Sequence, residues 1–100
     1  MELRMMSEVI NGKRYRTETA LLLASDAYAE AGVQERLGRN SFLLCTPKGN
    51  YFMQHQTTWP REKDTITPLA RDEALRLFEA MPRKEVEFEE AFPGIQIEEA

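Results

Sequence analysis

The chain has 100 residues, a formal net charge of −4, 42% hydrophobic residues, one cysteine and one histidine. This length makes one domain with one modest core, and one Cys with one His excludes an internal disulfide and a four-ligand structural zinc site. No apolar run approaches the ~20 residues of a membrane span and residues 1–9 lack the apolar stretch of a signal peptide, so a cytoplasmic protein without metal or cofactor is expected.

Read in chain order, Glu8-Val9-Ile10, Asn11-Gly12 and Lys13-Arg14-Tyr15-Arg16 signal a hairpin, because Asn-Gly tolerates positive φ at both turn positions. Its second strand carries a small basic cluster around Tyr15. A further strand is expected over residues 20–25. Residues 26–39 read as polar loop, with a helical turn over 28–33 and a strand beginning at Glu35-Arg36-Leu37. The central feature is SFLLCTPKGNYFMQHQTT, residues 41–58. Proline presets the second position of a type I turn in Thr46-Pro47-Lys48-Gly49, and glycine supplies the left-handed residue that ends it. Cys45 then faces Tyr51, Leu43 faces Met53 and Ser41 faces His55. Both faces are apolar near the turn, so the ribbon should be covered on both sides. The end at Gln54-His55-Gln56-Thr57-Thr58 is polar and is expected to face water.

Trp59 to Asp64 is a charged connection, and Thr65-Ile66-Thr67 is β-prone. Ala74, Leu77, Phe78 and Met81 fall at i, i+3, i+4 and i+7, which predicts a helix over 71–81 with one apolar face. Asp72 and Glu73 suit its first turn, and Pro82 stops it. Glu85-Val86-Glu87-Phe88-Glu89 alternates as a strand or extended tail would. Residues 1–63 carry nine Lys/Arg against seven Asp/Glu, whereas residues 64–100 carry four against ten. The expected organisation is an α+β domain over residues 1–84 and an acidic segment over 85–100, docked or partner-binding. The domain would hold an antiparallel sheet of three to five strands, with one C-terminal helix on one face.

Ile10-Asn11-Gly12-Lys13, Tyr15, Thr17 and Thr19-Ala20 are followed by Thr46, Lys48-Gly49-Asn50-Tyr51-Phe52, then Pro68-Leu69 and Glu73-Ala74. In this order and spacing they resemble a group of small bacterial and phage-type proteins with an INGK-x-Y-x-T-x-TA opening, a T-x-KGN-[YWF]-F hairpin and a PL-x-x-x-EA helix. The resemblance spans about residues 9–81 and implies a shared fold and an association with mobile elements; it implies no activity. The chain departs from the pattern at Ala70, where Ser or Thr is frequent. That removes the N-cap of a capping box reaching Glu73 and leaves Thr67 as the expected cap of an earlier start.

Cys45 and His55 are the residues an enzyme reading would use, as nucleophile and base. They share a face but lie about four residues apart along it, ~13 Å. Cys45 fits a small core hydrophobe and His55 a polar surface residue. No Ser-His-Asp arrangement and no glycine-rich phosphate loop can be placed. A non-enzymatic interaction protein is therefore expected, of an acidic inhibitor, anti-defence or antitoxin kind, with a protein partner or a second copy. Its candidate contacts are Trp59, Arg61, His55, Phe88 and Phe92. The alternative is a nucleic-acid-binding module using Lys13, Arg14, Tyr15, Arg16, Arg36 and Arg39, with Tyr15 stacking on a base. Trp59 could instead cap the open end of the core, and Tyr15 could cover its edge. A small hydrolase using His55 is a third class.

Overall fold

In the computed structural model, which describes residues 2–26 and 38–100, the Thr46–Asn50 turn sets the register of the two strands it joins. The Gly49 N–H donates to Thr46 O at 2.9 Å, and the Thr46 N–H donates to Asn50 O at 2.8 Å. The Asn50 N–H also donates to Thr46 Oγ1, at 3.1 Å. The strands that leave this turn pair Cys45 with Tyr51, Leu43 with Met53 and Ser41 with His55, as predicted.

In chain order the elements are β1 (Ser7–Ile10), β2 (Lys13–Arg16), β3 (Leu21–Ser25), β4 (Arg39–Cys45), β5 (Tyr51–Thr57), β6 (Thr65–Leu69), α1 (Arg71–Ala80), β7 (Arg83–Lys84) and α2 (Phe88–Ala91). Five strands form an antiparallel sheet in the order β6-β5-β4-β3-β7, and β1 and β2 form a separate two-stranded sheet. The Asn11-Gly12 turn of that small sheet holds φ at 52° and 77°. β6 contains Pro68, tolerated there because β6 is an edge strand. The expected helical turn over 28–33 and the strand start at 35–37 lie outside the described residues.

One face of the large sheet, with Leu43, Tyr51 and Met53, packs against Ala74, Phe78 and Met81 of the helical side and against Ala91 and Phe92. The other face, with Phe42, Leu44, Phe52 and Ile66, packs against Tyr15, and Leu3, Met6 and Ile10 border it. The result is three layers: the helices with the C-terminal segment, the sheet, and the small hairpin with the N-terminal segment.

Four expectations need correction. Among the described residues the fold has two short helices and a second sheet, rather than one helix on one sheet. Residues 88–91 turn helically, while the strand in this region is Arg83–Lys84, paired with Ala24 and Ser25. Thr67 does not cap α1: it lies in β6 opposite Met53. Instead the Ala70 N–H donates to Glu73 Oε1 at 3.0 Å, one half of a capping box. Finally, Gln54, Gln56 and Thr57 are buried, with Gln54 at 0% exposure. The N-terminal segment lies over them. Gln54 Nε2 donates to Arg4 O at 2.7 Å, the Arg4 N–H donates to Gln56 Oε1 at 2.7 Å, and Gln56 Nε2 donates to Glu2 O at 2.7 Å. Thr17 Oγ1 completes the set, donating to Gln54 Oε1 at 2.5 Å and accepting from the Met6 N–H at 3.1 Å. The two glutamines thus offer the N-terminal segment what a strand edge would offer.

Candidate functional site

Three surfaces gather the residues singled out above. The first is the polar end of the β4–β5 ribbon. Ser41 Oγ lies 2.8 Å from His55 Nδ1 across the two strands, a contact that follows from their opposed register. A nucleophile–base pair also needs a group that orients the base. The neighbouring carboxylate, Asp26, instead accepts from the Ser41 N–H at 2.9 Å and from Asn40 Nδ2. These residues, with Gln56, Thr57 and Lys63, line a cavity of about 400 Å³. Cys45 lies at the opposite end of the ribbon, where burial pushes its thiol pKa up. Among the described residues no group of three or more His, Cys, Asp or Glu is placed to hold a metal ion.

Trp59 sits beyond this end and is 50% exposed. The Arg39 guanidinium lies over its ring, 5.6 Å from the centroid, and also meets Glu62 through two contacts of 3.1 and 2.5 Å. Hydrogen bonds from Arg39 and Thr57 hold the Glu62 carboxyl below its usual range. Asp64 anchors the same loop, accepting from the Thr57 N–H at 2.9 Å and from Arg4 Nη1 at 2.8 Å. Arg61 and His55 are exposed at this end. The loop therefore presents Trp59 from a tied-down base.

The second surface is a groove of about 600 Å³ between α1 and the C-terminal segment. Phe78, Val86 and Phe88 form its apolar lining, and Glu79, Glu85, Glu87 and Glu90 supply carboxylates. The Lys84 ammonium is turned onto the Phe78 ring, 5.4 Å from the centroid, and donates to Met81 O. Glu85 is paired with Arg83 at 2.7 Å. Phe88 is half-buried here, but Phe92 is 0% exposed and is no partner contact. Its ring stacks on Tyr51 at 5.2 Å and meets Phe78 edge-on at 5.5 Å. An acidic, charge-rich stretch thus delivers a central core residue, because its aromatics have the helix α2 to carry them inward.

The third surface is a groove of about 450 Å³ where the tips of the two hairpins meet. Lys13, Arg14, Arg16 and Lys48 line it, with no carboxylate among the lining residues, and Lys13 Nζ reaches Asn50 Oδ1 at 3.4 Å. Tyr15 lines it too, but its side chain is buried with its ring edge-on to Phe52 at 5.5 Å, so it cannot stack on a base. Arg39 belongs to the Trp59 end, and Arg36 lies outside the described residues. Lys48 and Asn50 were not among the contact residues expected from the sequence; the turn that contains them brings them to the basic strand. Comparison with protein-family models, with curated proteins and with solved structures finds no match for this chain.

Proposed function

We propose that the chain is a non-enzymatic interaction protein whose acidic groove receives a basic, partly apolar segment of a protein partner. The observation that carries this reading is the joining of four carboxylates to an aromatic lining in one groove. Apolar contact gives such a groove affinity, and the carboxylates select for Lys or Arg and speed encounter. An inhibitor of a host enzyme that handles nucleic acid belongs to this class, since a basic surface is what such an enzyme presents. The resemblance to phage-type proteins supports an anti-defence or antitoxin setting in the cytoplasm.

The test is capture from host lysate with the full chain and with a Glu79→Gln, Glu87→Gln, Glu90→Gln variant, followed by binding with the purified partner. A partner held by the full chain, released by salt and lost from the variant supports the reading. Equal recovery by both overturns it and moves the contact to Trp59 and Arg61. The basic groove supports a second reading, nucleic-acid binding. It predicts binding to oligonucleotides that weakens steeply with salt and is lost on Lys13→Glu.

A further inference from the structure

The basic groove has a feature that charge alone does not supply. Among the described residues β2 pairs with β1 alone, and no described strand lies along its outer edge. Residues 12–16 line the groove in an unbroken run, which places that edge along the groove, opposite the β4–β5 turn. A free strand edge with three cations in four residues suits an extended acidic polypeptide, whose backbone extends the ladder while its side chains meet the charges. Single-stranded nucleic acid would want an exposed ring for its bases, and the groove's one aromatic, Tyr15, has its ring in the core.

The chain itself carries such a segment. Residues 96–100, Gln-Ile-Glu-Glu-Ala, are all exposed, with Ile97 at 52%. Five extended residues reach ~17 Å, and the four residues of β2 span ~13 Å. We propose that residues 96–100 of one copy add as an antiparallel strand to the free edge of β2 in a second copy, the exchange being reciprocal. One register satisfies every position. Ile97 stands opposite Tyr15, Glu98 opposite Arg14, Glu99 opposite Lys13, and Gln96 opposite Arg16. In that register both carboxylates face cations, and Ile97 lies on the face of the strand that covers the core. Reciprocal exchange closes the pair, whereas one-way exchange would build open chains. The contact is independent of the acidic groove and of any partner held there.

Sedimentation equilibrium of the full chain across a hundredfold range of concentration tests this. A monomer–dimer equilibrium that weakens at high salt is expected. Arg14→Glu and Glu98→Arg should each weaken association about tenfold by turning an attraction into a repulsion. Mixing the two variants should restore a dimer, because each supplies the other's complement. Both positions are exposed, and circular dichroism of each variant verifies that the fold is kept. A monomer at every concentration overturns the proposal. So does association that mixing fails to restore, which would mean that Arg14 and Glu98 do not meet across copies. Binding of labelled oligothymidine that Arg14→Glu abolishes, with the mass unchanged, would instead assign the groove to nucleic acid.

Discussion

Tyr51 and Phe92 carry the side of the core that the helices cover. The Tyr51 hydroxyl donates to Ala91 O at 2.8 Å, so one side chain both packs the aromatic cluster and ties down the end of α2. Tyr51→Phe leaves that carbonyl unpaired in a buried place and should lower stability by about 1–3 kcal/mol. Phe92→Ala opens a cavity against Tyr51 and Phe78 and should cost about 3–5 kcal/mol, measurable by urea denaturation. Burial also pushes the Cys45 thiol and the Tyr51 phenol above their ordinary values of 9.0 and 10.0. Each group then binds its proton more tightly in the folded chain than in the unfolded one. Their contribution is fully present below pH 9.0 and is lost as pH rises through the folded values. Urea midpoints measured on an alkaline series should therefore fall, and Tyr51→Phe should flatten the upper part of that fall.

At the scale of elements, turn chemistry and periodicity account for what the sequence makes legible. Pro47 with Gly49 defines one hairpin, Asn11 with Gly12 the other, and the spacing of Ala74, Phe78 and Met81 defines α1. Both positive-φ glycines that flank β4 should resist substitution, but unequally. At Gly49, φ is +86° and a Cβ would meet nothing within 4 Å, so Gly49→Ala costs only the left-handed backbone, ~1–2 kcal/mol. At Gly38, φ is +78° and a Cβ would lie 2.5 Å from Thr58 Oγ1, so Gly38→Ala should lower the melting temperature further. What stays illegible is the burial of Gln54 and Gln56. Their amides are satisfied by the backbone of Glu2 and Arg4, fifty or more residues away in the chain, and no local pattern announces that contact. Gln54→Leu would leave Arg4 O and Thr17 Oγ1 without their partner. It should cost about 2–3 kcal/mol and expose residues 2–6 to faster amide exchange and to cleavage after Arg4.

For the molecule as a whole, the large sheet is covered on both faces, so its interactions fall to grooves, edges and loop ends. The sequence leaves the acidic segment from Glu85 onward docked or partner-binding, and in the structure Val86, Phe88, Ala91, Phe92 and Ile95 pack with the core. A chain ending at residue 83 should fail to unfold cooperatively by circular dichroism, whereas one ending at residue 95 should still unfold in one cooperative step. The candidate surfaces were legible as charge: Lys13, Arg14 and Arg16 on one side, Glu85, Glu87 and Glu90 on the other. Their completion by Lys48 and by Glu79 was not, because it depends on which turn and which helix the fold sets beside them.

The place of Phe92 in the core also has a meaning for synthesis. A nascent chain that has emerged only as far as Met81 holds the β4–β5 ribbon and α1 but leaves the Tyr51 ring and the Phe78 ring without their central neighbour. Ribosomes deliver that neighbour after every described strand of the large sheet, so the layer closes only once those strands are out. A product of interrupted translation would keep an apolar face open and pass to chaperones and proteases.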